Sequence, residues 1–182
     1  KYLAFCEESS VCVSHLKKLA DAGLTHVHLL PSYDFGSVPE LPENQLSVDF
    51  KELAKLPPNS RKQQEEISKI AWSDCFNWGY DPVHYGVPEG SYATNPDGPR
   101  RIFEYRQMVH ALASNGLRVI CDVVYNHTLS SGPSDVNSVL DKIVPGYYHR
   151  RNFDGFIEAS TCCNNTASEH YMMDRLIVDD LV

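Results

Sequence analysis

The sequence predicts a parallel α/β fold, on three observations. Residues 117–124, "LRVICDVV", make a short run that is largely apolar and rich in β-branched side chains, the look of a strand covered on both faces. A second short run, "THVHLLP", alternates at its start and stops on a proline. Each run follows a helical pattern closed by a glycine, so the order reads helix, strand, helix, strand.

The first helix lies in "SSVCVSHLKKLADAGL". Val13, Leu16, Leu19 and Ala20 share a face, and Gly23 is placed to end the helix in a left-handed cap. A strand from Thr25 to Leu30 follows. His26 and His28 form an H-x-H on it; such a pair can ligate a metal, though a core-facing histidine is the commoner outcome. In "NPDGPRRIFEYRQMVHALASNG" Asp97 is a candidate cap, Pro99 sits near the first turn, and Gly116 follows the end. Ile102, Tyr105, Val109 and Leu112 repeat there at helical spacing. A third helix is expected to open at "TASEHYMMDRLIVDDLV", with Thr166 and Glu169 as a capping box and Met173, Leu176 and Ile177 on the apolar face. Asp179 and Asp180 are read as solvated acids of that helix, as are Glu65 and Glu66 in an earlier charged stretch. Residues 31–98 and 128–165 read as two long connections leaving the carboxyl ends of the strands, where parallel α/β folds place their chemistry. Two strands and three helices neither close a barrel nor make a comfortable open sheet, so the sequence reads as cut off in mid-fold.

Charge narrows the partners. A formal net charge of −8 and a pI near 5.4 disfavour nucleic acid and anionic membranes, both of which reward clustered Lys and Arg. Nor does any apolar run approach the roughly 20 residues that span a bilayer. The six cysteines include Cys121 inside the apolar run, expected to be buried, and the adjacent Cys162 and Cys163, a poor geometry for pairing with each other. There is no C-x-x-C pair, so no structural zinc is expected. The thiols read as mostly reduced, hence an intracellular or organellar setting.

Two stretches carry the candidate chemistry. In "FNWGYDPVHYGVPEGSYA", residues 76–93, Phe76, Trp78, Tyr80, Tyr85 and Tyr92 alternate with glycines, prolines, Asp81 and His84. One reading is a loop packed by its own aromatics. The other is a sugar platform, with flat ring faces against C–H groups and Asp, His and Asn satisfying hydroxyls. In "LRVICDVVYNHT" the carboxylate of Asp122 interrupts an apolar strand that closes on Asn126 and His127. A buried acid with purely structural partners accounts for Asp122 alone. Polar residues clustered at a strand end point instead to a site.

These residues are also recognisable as a group. "DVVYNH" at 122–127 resembles the first conserved segment of the α-amylase superfamily of glycoside hydrolases, and "LTHVHLLPSYDF" looks like that family's preceding barrel strand. "NWGYDPVHYGVPEGSYA" and "CNNTASEHYMMDRLIVDDL" are similar to its pullulanase-type debranching subgroup. The stretch "PELPENQLSVDFKELAKLPPNSRKQQEEI" looks like the plant branch of that subgroup, the limit dextrinases. The resemblance runs over nearly the whole chain.

The resemblance implies an incomplete (β/α)8 barrel, with residues 1–182 a partial catalytic domain. It implies hydrolysis of α-1,6-glucosidic branch points in pullulan, amylopectin and limit dextrins with retention. Tyr80 is then expected to stack on the glucose on the non-reducing side of the scissile bond and His127 to hydrogen-bond it. Asp122 and Asn126 are expected to brace the strand end, Asp81 is a neighbouring contact, and the turn with Cys163 and Asn164 borders the groove. Retaining hydrolysis needs two carboxyl groups about 5–5.5 Å apart. The family's nucleophilic Asp, proton-donating Glu and second Asp have no matching segment here, so they are expected beyond Val182 and the chain alone is expected to be inactive. A non-catalytic glucan-binding module derived from the same fold is the alternative. No cofactor is expected to be required; calcium is found in the family, but no loop of calcium-binding spacing occurs here. Asn126-His127-Thr128 and Asn164-Asn165-Thr166 match glycosylation sequons, and a glycan at Asn126 would obstruct the groove. The resemblance therefore points to a plastid.

Overall fold

The structure is a computed structural model describing residues 1–182. A 3-10 turn, Tyr2–Cys6, leads to α1, Val11–Asp21, and β1, His26–Leu29. Then come β2, Tyr33–Phe35, two short helices, α2 (Phe50–Leu53) and α3 (Lys62–Ser68), and β3, Pro82–Pro88. The long helix α4, Arg100–Ser114, precedes β4, Arg118–Cys121. Finally β5 (His127–Thr128), α5 (Leu140–Ile143), β6 (Asn164–Asn165) and α6 (Tyr171–Leu181) follow.

The parallel α/β expectation holds at β1 and β4, which pair in parallel with His26 opposite Arg118 and Leu29 opposite Cys121. Beyond that pair the expectation changes. The strands form three separate two-stranded sheets and close no barrel. β2 and β3 pair antiparallel with register shifts on both sides of Asp34, and β5 pairs antiparallel with β6. Stretch 31–98, expected to be a loop, thus contains two strands and two short helices. Nor is β4 covered on both faces, since Ile120 is 46% exposed and Cys121, expected inside, is exposed too.

The core explains why these elements form. Tyr2, Ala93, Met108, Leu112 and Leu117 make its buried centre, with Leu16, Ala20, Val27, Leu29, Tyr105, Val109 and Val119 packed around it. Helix α1 therefore presents the expected stripe, though only Val13 of it is fully buried and Leu19 is 36% exposed. Ser10 caps α1 by accepting from the Val13 amide at 3.0 Å. Helix α4 keeps Tyr105, Val109 and Leu112 against the core as expected, with differences at other positions. Ile102 stays exposed, while Glu104 and Met108 turn inward with Leu112. Its N-cap is Pro99 rather than Asp97; the carboxylate of buried Glu104 instead accepts from the amide and hydroxyl of Thr94. Gly116, at φ +79, turns the chain from α4 into β4, as its left-handed cap requires.

The third helix also starts later than expected. α6 is capped at His170, and the Thr166–Glu169 capping box does not form. Thr166 donates to the Tyr125 carbonyl at 2.6 Å, and Glu169 pairs with Arg150 at 2.6 Å. Each potential capping side chain has a better partner outside the helix. Asp180 is not a solvated acid either: it is half-buried and accepts from the Tyr125 hydroxyl at 2.5 Å. Glu65 and Glu66 are exposed on α3 as expected.

The candidate functional site

The rim forms where the end of β4 meets the loop ahead of β3. The amide of Asp122 donates to the Leu29 carbonyl at 3.1 Å, so the β1–β4 ladder runs one residue past β4 and holds the Asp122 backbone. The opposing loop is brought in by Gly79. At φ +79, a Cβ there would stand 2.3 Å from the Pro31 carbonyl oxygen, so only glycine allows this approach to the end of β1. Tyr80 follows immediately. Its hydroxyl donates to Asp122 Oδ2 at 2.5 Å, and that bond holds the phenol above its usual pKa.

His127 is the second anchor. It is buried, 4% exposed, and its Nε2 lies 2.9 Å from the Tyr80 carbonyl oxygen. A carbonyl only accepts, so Nε2 carries the proton, and Nδ1 is buried with no partner. The His127 carbonyl accepts from the Tyr85 hydroxyl at 2.7 Å. Tyr80 is thus joined by two direct hydrogen bonds to Asp122 and His127, which lie 42 and 47 residues later in sequence.

The β5–β6 pair brings the last segment alongside, with His127 opposite Asn165 and Thr128 opposite Asn164. A ring nitrogen of His127 and the sulfurs of Cys162 and Cys163 lie within 4.8 Å of one another. Burial pushes the Cys163 thiol up to about 11, helped by the neighbouring Cys162 and the Asp81 carboxylate. Asp81 is half-buried, and its carbonyl accepts from the Gly36 amide at 3.0 Å.

Other candidates have structural duties. Asn164 spends its whole amide locally: Nδ2 donates to the carbonyls of Thr128 and Leu129, and Oδ1 accepts from Ser131 at 2.6 Å. Asn126 is exposed and donates to Thr161 Oγ1 at 3.2 Å. The five aromatics of the platform divide. Phe76 and Trp78 are exposed at 71% and 64%, and Tyr80 is half-buried at the rim. Tyr92 turns into the core, where it packs edge-on against Tyr2, and Tyr85 packs against Tyr125. His26 and His28 are both exposed on β1 and share no ligand cluster.

A polar network behind the rim was not anticipated. Asp34 pairs with His84 at 2.5 Å and with Arg101 at 3.4 Å, and Arg101 pairs with Glu40 at 2.7 Å. Buried Glu89 accepts from the amides of Phe35 and Ser91, and burial raises its carboxyl to about 7. Oxygens of Asp34, Glu40 and Glu89 lie within 4.8 Å of one another, the donor type calcium takes. However, Arg101 and His84 already supply the positive charge there, so the trio does not fit calcium.

All six cysteines are free thiols. No helix is long and apolar enough to cross a membrane.

Comparison with known proteins gives this geometry a lineage. No protein-family model matches the chain. Pullulanase 1, chloroplastic, of Arabidopsis thaliana is 61% identical over 181 residues, covering 100% of this chain and 19% of that protein. The pullulanase of Klebsiella aerogenes is 42% identical over 215 residues, again covering 100% of this chain and 20% of the relative. Among solved structures, Klebsiella pneumoniae pullulanase complexed with maltotriose superimposes with a TM-score of 0.91 at 40% identity, over 100% of this chain and 20% of that one. The chain spans about a fifth of the length of the curated relatives it matches. It is homologous over its whole length to one segment of the pullulanases.

Proposed function

We propose that the protein carrying this chain is a starch-debranching hydrolase. It cleaves α-1,6-glucosidic linkages in pullulan, amylopectin and limit dextrins with retention, and residues 76–93, 122–127 and 162–165 line its glucan groove. The observation that supports this most is the joined rim: Tyr80 hydrogen-bonded to Asp122 through its side chain and to His127 through its carbonyl. A phenol ring fixed at its hydroxyl end presents a flat apolar face at a set angle, which suits a sugar ring. Nδ1 of His127 is buried and unpartnered, the one ring nitrogen not already spent. The maltotriose complex of the Klebsiella pneumoniae relative agrees with this ligand class.

In this reading the segment binds and orients substrate, and does not hydrolyse it alone. The nucleophilic Asp and the acid/base Glu come from outside these residues. β1 and β4 are neighbouring strands of a (β/α)8 barrel that other parts of the protein complete. No cofactor takes part in the chemistry, and any calcium lies away from this rim. The chloroplastic relative and the sequence resemblance favour a plastid location. Asp81 and Cys163 border the groove, while Asn126 and Asn164 hold its edges.

The test is kinetic. Tyr80→Ala and His127→Ala in the full protein are each expected to lower kcat/KM on pullulan by about a hundredfold, the size of effect that mispositioning a bound substrate produces. Unchanged cleavage of pullulan by both variants removes the site assignment.

A further inference from the structure

We propose that His127, Cys162 and Cys163 form a binding site for a thiophilic divalent cation of the zinc class. The three ligand atoms lie within 4.8 Å of one another, and the two sulfurs are 3.1 Å apart. Such a group alone is not a site; the histidine makes it one. Its Nε2–H is spent on the Tyr80 carbonyl, which fixes the tautomer and leaves the Nδ1 lone pair buried and without a partner. A metal-ligating histidine is held in the same manner, with its second ring nitrogen donating to a carbonyl or carboxylate. The orphaned nitrogen thus keeps a lone pair free for a ligand bond.

Geometry and charge both allow the metal. Tetrahedral zinc with Zn–S bonds near 2.3 Å separates two sulfurs by about 3.8 Å, so the pair must open by only ~0.7 Å. Cys162 is exposed, so its side chain has room to make that movement. The Asp81 carboxylate, close enough to act on Cys163, adds a negative charge that favours a cation in the same place. Three protein ligands leave a fourth position to water. The cation displaces the thiol protons to solvent, with no change in oxidation state, so affinity rises with pH. The sequence rule that looks for C-x-x-C misses this group because its members come from two segments joined by the β5–β6 pairing.

Metal binding does not depend on the glucan reading; only its effect on cleavage does. The full protein, reduced and stripped by a chelator, is titrated with Co2+ and with Cd2+ while thiolate-to-metal charge-transfer absorption is recorded. One equivalent of absorbing site is expected that Cys162→Ser and Cys163→Ser each abolish. His127→Gln is expected to weaken affinity at least about tenfold, with the far-ultraviolet circular dichroism of all three variants unchanged. Absence of the band in the unsubstituted protein overturns the proposal, as does a band of undiminished size in both serine variants. Pullulan cleavage is followed separately. Chelator-reversible inhibition by Zn2+ that Cys162→Ser relieves supports both readings. A bound metal without inhibition supports the metal site and counts against His127 as part of the groove.

Discussion

The hydroxyl of Tyr80 donates to Asp122 Oδ2 across 2.5 Å, tying a residue of the aromatic loop to the end of a parallel strand 42 positions later. The bond fixes the hydroxyl end of the ring. Tyr80→Phe keeps the ring and loses the tether. Its kcat/KM on pullulan is expected to fall by about tenfold, against about a hundredfold for Tyr80→Ala. Asp122→Asn, which keeps an acceptor for the phenol, is expected to behave more mildly than Tyr80→Phe. Steady-state kinetics of the three variants order them.

Gly79 is expected to be intolerant of any side chain. A Cβ there meets the Pro31 carbonyl oxygen at 2.3 Å, and its φ of +79 is strained for any L-residue. Gly79→Ala is expected to cost at least about 1–3 kcal/mol from backbone strain alone, read as a lower urea midpoint. Gly98→Ala is the control for the clash: its φ is +65, but nothing stands within 4 Å.

Arg101 clamps two acids and two carbonyls at once. It reaches Glu40, Asp34, the Pro88 carbonyl and the Pro96 carbonyl, and its side chain is 13% exposed. Arg101→Met leaves Asp34 and Glu40 without their main counter-charge. The loss is expected to be about 3–5 kcal/mol, the range for breaking one partner of a buried pair, and chemical denaturation measures it.

Glu89 confers a pH dependence of defined sign. Its carboxyl is raised from 4.5 to about 7 by burial, against the pull of the Phe35 and Ser91 amides. Between those values the folded state holds a proton that the unfolded state has released, so this group lowers stability as pH rises from about 4.5 to 7. Glu89→Gln starts less stable at low pH, because one amide N–H then faces an NH2 group. The gap between variant and unsubstituted protein is expected to narrow by an amount on the order of 3 kcal/mol across that window. Thermal or urea denaturation at pH 4.5 and pH 7.5 measures both gaps.

Much of this was legible in the sequence, for identifiable reasons. Gly23 and Gly116 marked the ends of α1 and α4, because a left-handed cap leaves glycine little competition. The parallel pairing of β1 with β4 agrees with two apolar runs each placed after a helix. The candidate site segments stood out because polar residues interrupt or close apolar runs. Missed features depend on distant partners. Thr166 and Glu169 look like a capping box until Tyr125 and Arg150 claim them. Asp34, Glu40, Glu89 and Arg101 are scattered over a stretch without periodicity, and only tertiary packing makes them a network. Tyr2 joins the core through contacts with Tyr92 and Tyr105 that no local pattern announces. Cys121 lies exposed beside Tyr105 because only one face of β4 is covered in this chain.

The proposed glucan groove depends on one arrangement, a rim in which Tyr80 and His127 face the same sugar. A crystal structure of the full protein with a bound maltotriosyl oligosaccharide tests it most directly. A glucose ring stacked on Tyr80 and hydrogen-bonded to His127 is the predicted result. Clear density for the oligosaccharide in a groove that leaves both residues untouched would contradict it.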